Sequence, residues 1–117
     1  MYKHLSLEVL NNLDLVDPEL GSQLMGLFLT ELPQHKSKIE NLKKPDTSYD
    51  FGKAVHALKG SIAVFGCAQL CSQLKEVELL AKDNKFDQAE KIYKSSEVYL
   101  AELVSEIDIH LKRKEVA

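Results

Sequence analysis

Residues 51–65 read Phe51-Gly52-Lys53-Ala54-Val55-His56-Ala57-Leu58-Lys59-Gly60-Ser61-Ile62-Ala63-Val64-Phe65. On a helical wheel at about 100° per residue, Phe51, Val55, Leu58, Ile62 and Phe65 fall between about 180° and 260° from His56. They form one apolar stripe, the core-facing side of a helix. His56 lies nearly opposite, toward solvent. Its neighbours on the outer face are the small residues Gly52, Gly60 and Ala63 and the cations Lys53 and Lys59. A glycine inside a helix costs about 1 kcal/mol relative to alanine. On a buried face close helix packing offsets that cost. On an exposed face, close approach by a partner is one reason to keep it. Such breaks of a local rule mark functional positions.

Outward from this stretch the chain reads as helices joined by short turns. Ser6 is placed as the N-cap of a short first helix through about Leu13. Asp17-Pro18-Glu19 reads as a second helix start, with Asp as cap, Pro at the first helical position and an acid in the first turn. That helix is expected to run to about Lys44, before Pro45, with a kink or break at Pro33. Thr47 and Asp50 resemble a capping box opening the third helix, and Gly66 closes it in the left-handed conformation. A fourth helix covers about Cys67 to Lys82, and Asp83-Asn84 marks a turn. The last helix, about Phe86 to Lys112, carries Ala89, Ile92, Tyr93, Leu100, Leu103 and Ile107 at helical spacings. The expected fold is all-α: an antiparallel four-helix bundle with an additional short N-terminal helix, residues 1–117 forming a single domain.

The second helix has more apolar surface than one core face needs. Leu20, Leu24, Leu27 and Phe28 form the main stripe, and Met25, Leu29 and Leu32 lie about 100° round from its centre. Two readings stay open for the second stripe. The short first helix, through Leu10 and Leu13, packs over it, or it is a docking patch for a partner protein beside the histidine face, with an adaptable Met. Lys53 belongs to the same possible docking surface.

Composition narrows the classes. A length of 117 residues fits one core, and 44% apolar residues are too many for a disordered tail. No apolar run approaches the ~20 residues of a membrane span, and the N-terminus lacks the pattern of a secretory signal. A cytoplasmic location is expected. The net charge of −3, with no basic block beyond Lys112-Arg113-Lys114, argues against nucleic acid. That tail suits a helix C-terminus, where cations complement the dipole. Cys67 and Cys71 read as small apolar residues near a helix interface, and the four scattered histidines give no metal-ligand spacing.

Near neutral pH an unperturbed imidazole offers a nucleophilic nitrogen. Lys59, one turn on, can neutralise phosphoryl charge. No serine–histidine–acid set, nucleotide loop or metal set accompanies His56. An exposed histidine without catalytic machinery suits a carrier served by partner proteins. The stretch His56-Ala57-Leu58-Lys59-Gly60-Ser61, followed by Gly66, Leu70 and Leu74, resembles the signature of histidine phosphotransfer domains, His-x-Leu-Lys-Gly-Ser/Ala, then a glycine and spaced leucines. The run Leu27-Phe28-Leu29-Thr30-Glu31-Leu32-Pro33 is similar to the family's preceding helix.

The resemblance implies a phosphocarrier of a two-component phosphorelay, without kinase activity or cofactor of its own. The initiating Met and the lack of linker composition at either end point to a free-standing protein, with a fragment of a hybrid kinase as the alternative. His56 would accept a phosphoryl group on Nε2 from the aspartate of one receiver domain and pass it to another. The implied partners are receiver domains of response regulators and hybrid sensor kinases, which carry the Mg²⁺; the carrier itself is expected to be a monomer. The family often places a Gln or Glu against the other ring nitrogen, and the matching position is Glu78. Helix geometry agrees: His56 and Glu78 lie ten and twelve residues from Gly66, hence about 15–18 Å from the turn. A solvated helix-edge carboxylate is the alternative for Glu78. A glutamate there is also similar to the phosphoacceptor domain of chemotaxis-type kinases. Two other classes remain open: an adaptor or structural bundle, and a small metal-binding bundle using His56, Glu78 and a cysteine.

Overall fold

The computed structural model describes residues 2–116, with side chains described for residues 2–114. Helices α1 (Leu7–Val16), α2 (Leu20–Leu42), α3 (Ser48–Ala63), α4 (Ala68–Lys82) and α5 (Phe86–Val116) follow one another, with a 3-10 turn at Pro45–Thr47. The fold is all-α. α2 packs on α3, α3 on α4, α4 on α5, and α5 meets α2 again, while α1 lies against α2. α3 and α4 run antiparallel. Ser48 Oγ, at the start of α3, donates to the Ala81 carbonyl at 2.6 Å, and Cys71 Sγ lies 4.0 Å from the Lys59 carbonyl near the other end.

The stripe read from α3 is the heart of the core: Phe51, Val55, Leu58, Ile62 and Phe65 are all buried. Burial of one such side chain contributes about 1.5–3 kcal/mol. Phe51 meets Phe86 and Tyr93 edge-on, tying α3 to α5, and Phe65, two residues past the end of α3, meets Phe28 of α2. The α3–α4 turn needs its glycine twice. Gly66 has φ +91°, and a Cβ there would sit 2.8 Å from Ser6 Cβ. Ser6 N–H donates to the Phe65 carbonyl at 3.1 Å. The N-terminal segment so held also places the backbone N–H groups of Lys3, His4 and Leu5 within 3.0 Å of the Glu106 carboxylate.

Several expected boundaries move, for identifiable reasons. Ser6 caps α1 by accepting from Val9 N–H, but α1 continues to Val16. Asp17 therefore ends α1, and its Oδ1 accepts from Glu19 N–H in the turn, so α2 starts only at Leu20. Thr47 makes no side-chain cap for α3; its Oγ1 donates to the Leu42 carbonyl at 2.7 Å and closes α2 there, short of Lys44. α2 passes through Pro33 without a break. Pro33 is on the exposed side, where the carbonyl that loses its donor can be hydrated. Cys67 has φ +47° and precedes α4 rather than opening it. α5 extends past Lys112 to Val116, and Lys114 near its end pairs with Asp14 at 3.0 Å.

The buried face of α2 draws on both expected stripes, taking Phe28 from the main one and Met25 and Leu32 from the second. Met25 is 0% exposed and Leu32 is buried beside Phe28 and Ile39, whereas Leu27 is 54% exposed. Met25 and Leu32 are core residues and not docking residues; Leu29 is half-buried. The buried face recurs as Gly21, Met25, Phe28, Leu32 and Ile39, a pattern that persists through the second half of the helix. Leu10 of α1 is buried, and a Cβ at Gly21 would lie 3.1 Å from Asp14 Oδ1.

Candidate functional site

His56 projects from the middle of α3 with its side chain 61% exposed. The ring is anchored on one edge only. Nδ1 lies 2.9 Å from Oε1 of Glu78, on α4. Nε2 has no protein partner among the described residues and faces solvent. An acceptor on Nδ1 keeps the ring proton there and leaves Nε2 as the free nitrogen.

Glu78 is 8% exposed on its side chain, so its charge needs partners. It has three. Lys59 Nζ donates to Oε2 at 2.9 Å, Lys82 Nζ donates to Oε1 at 3.1 Å, and the His56 ring takes Oε1 as well. Burial alone would push this carboxyl up, but the hydrogen bonds from Lys59, His56 and Lys82 and the charge of Lys59 outweigh it and hold it down at about 2. The carboxylate stays ionised at any ordinary pH. Its backbone seat follows from the seam of Leu70, Leu74, Val77 and Ala81, all buried, which turns position 78 toward α3.

Gly52 does not lie on the open face. It is buried, and a Cβ there would meet Ala81 Cβ and the Glu78 carbonyl at 3.2 Å and Lys82 Cγ at 3.3 Å. It is therefore a packing glycine that brings α4 close to α3, and the expected clearance role fails for it. Gly60 has nothing within 4 Å of such a Cβ, and Ala63 is exposed. Lys53 is exposed and points over the Tyr49 ring, 5.9 Å from its centre, away from Glu78. Toward α2, the open face continues into a pocket of about 180 Å³ lined by Leu24, Leu27, Phe28, Ser61, Val64 and Phe65 among others. Leu27 and Val64 are exposed apolar residues at its rim.

Lys82 was not singled out from the sequence, although it stands four residues after Glu78, the spacing of a helical ion pair. Cys67 is buried, and burial pushes its thiol up to about 12; burial likewise raises Cys71. Among the described residues no three of His, Cys, Asp or Glu converge as a metal site would require. Nor does any helix there have the length and apolarity to cross a membrane.

A family model for the Hpt domain matches residues 23–110, from early α2 to late α5. The chain belongs to the Hpt domain family. The phosphorelay protein LuxU of Vibrio cholerae serotype O1 is 32% identical over 79 residues, covering 64% of this chain and 70% of that relative. No solved structure matches the chain. The Hpt match includes His56, Lys59 and Glu78 and begins three residues into α2, after α1.

Proposed function

We propose that this Hpt domain is a phosphorelay intermediate that takes a phosphoryl group from a receiver-domain aspartate onto His56 and gives it to a second receiver. The observation that carries the reading is the one-sided anchoring of the ring: Nδ1 against Glu78 at 2.9 Å and Nε2 free in solvent. In the accepting step the P–O bond to the aspartate breaks as the P–Nε2 bond forms. The carboxylate leaves with the electron pair, and the ring keeps its proton on Nδ1 against Glu78. Lys59 is the charge partner within reach of the incoming oxygens. Gly60 and Ala63 leave room for a docking partner, and the exposed pair Leu27 and Val64 supplies apolar contact beside them.

On this reading the chain works as a cytoplasmic monomer, residues 1–117 acting as one Hpt domain, with no cofactor and no kinase activity of its own. The Mg²⁺ that transfer needs belongs to the receiver, and neither nucleic acid nor membrane is a partner. Incubation with a phosphorylated receiver should label the wild-type chain and leave His56→Gln unlabelled. Label that persists in the variant would remove His56 from the role. Glu78 in place of glutamine favours a second reading, the phosphoacceptor domain of a chemotaxis-type kinase. Labelling by such a kinase with ATP, and by no receiver, would select it.

A further inference from the structure

We propose that Lys82 is a positioning residue for phosphoryl transfer: it shares the Glu78 oxygen that holds the His56 ring and so sets how long the phosphoryl group stays on Nε2. The proposal rests on the carrier reading and deepens it.

Lys82 and Glu78 are four apart on one helix, and an ordinary surface pair at that spacing contributes only a few tenths of a kcal/mol. The geometry here goes further. Lys82 Nζ reaches Oε1, the oxygen already taken by His56 Nδ1, whereas Lys59 occupies Oε2. Distances of 2.9 and 3.1 Å to the same atom place the ammonium and Nδ1 no more than about 6 Å apart. The stem of Lys82 is seated by α3 itself. A Cβ at Gly52, one turn before His56, would come within 3.3 Å of Lys82 Cγ. The close approach of α4 over Gly52 thus seats the lysine stem against the helix of the histidine.

The chemistry that follows concerns the leaving group. When the phosphoryl moves on, the P–Nε2 bond breaks and its electron pair returns to Nε2, while a receiver carboxylate or water supplies the new P–O bond. With a proton on Nδ1 the ring departs as neutral imidazole; without it the ring would depart as imidazolate, a far poorer leaving group. The negative charge on Oε1 raises the share of phosphorylated rings that carry the Nδ1 proton, and that share sets how fast the phosphoryl leaves. A cation on that same oxygen draws charge away from the ring and lengthens the phosphoryl lifetime. One unit charge about 6 Å away, screened as in bulk water, changes such a rate by about threefold.

The test uses the full chain labelled with phosphoramidate, in which P–Nε2 forms as ammonia leaves, so no receiver is needed. Two quantities are read: the half-life of the label, and the proton resonance of Nδ1–H in the unlabelled protein. Lys82→Met should lose label about threefold faster, with the Nδ1–H resonance moved downfield. Lys82→Arg should stay near wild type in both. An unchanged or longer half-life in Lys82→Met, an unmoved resonance, or Lys82→Arg behaving like Lys82→Met would overturn the proposal. If Lys82→Met does not fold, Lys82→Gln carries the same expectations, and the resonance decides even where labelling is poor. Failure of phosphorylated receivers to label the wild-type chain is a separate result, which counts against the carrier reading alone.

Discussion

Glu78→Gln removes a charge from the site while leaving an acceptor for the His56 ring, and its effect on stability should depend on pH. The Glu78 carboxyl is held at about 2 against an ordinary 4.5, because the bonds from Lys59, His56 and Lys82 outweigh the opposing effect of burial. Each pH unit of such a gap is worth about 1.36 kcal/mol, so the full difference corresponds to about 3 kcal/mol. Water reaches Lys82 and the His56 ring, and the discounted figure is about 2 kcal/mol. The sign follows from linkage. A carboxyl held lower in the folded than in the unfolded chain stabilises the fold above the unfolded value of 4.5. That contribution is lost as pH falls toward about 2. Urea unfolding of both proteins across this range gives the gap directly, and taking the difference cancels the other carboxylates. Glu78→Gln should be less stable by about 2 kcal/mol near neutral pH and nearly equal at the acid end. A gap of the same size at both ends would refute the charged cluster as its source.

Met25→Ala should cost about 2–4 kcal/mol in unfolding experiments, because Met25 is fully buried. Leu27→Ala should cost less than about 1 kcal/mol yet raise the KM for a phosphorylated receiver; the reverse ranking would put Leu27 in the core and Met25 at the surface. Gly60→Leu, placed where nothing approaches within 4 Å, should keep or raise the melting temperature while slowing transfer. An equal loss of stability and transfer would point to a packing role for Gly60. Gly52→Ala should lose about 1 kcal/mol in urea unfolding despite its better helix propensity, because the Glu78 carbonyl and Ala81 Cβ lie at 3.2 Å.

How much of this was legible in the chain depended on how strong the local pattern was. The α3 stripe gave all five core positions, because a single apolar arc faces a single hydrophobic environment. α2 failed because leucines crowd both of its arcs in the first half. Only the continuation through Ile39 shows which arc stays buried. Asp17 and Thr47 were misassigned for a related reason: each can finish one helix or begin the next. The competition is decided by how far the preceding helix runs, which residue preference does not encode. The pairing of Glu78 with His56 was implied by the family resemblance, and the similar distance of both residues from the turn at Gly66 agreed with it. Lys82 went unnoticed because an ion pair at that spacing is ordinary on any helix.

The two glycines beside His56 show where a wheel alone stops. Gly52 and Gly60 lie about 40° to either side of the histidine, symmetric in sequence terms. Lys59 falls on the Gly52 side and Lys53 on the Gly60 side. α4 breaks the symmetry by packing on one flank: Gly52 and Lys59 meet Glu78 and Lys82, while Gly60 and Lys53 stay open. The same asymmetry divides the ring. Its Nδ1 edge belongs to the protein's own carboxylate, and its Nε2 edge is left for whatever docks. Because the α4 flank is closed, the unobstructed approach to Nε2 is over Gly60 and toward the α2 pocket rimmed by Leu27 and Val64. On the carrier reading, a receiver arriving from that side meets the nucleophilic nitrogen and the apolar rim together, with no need to disturb the cluster that holds the ring in place.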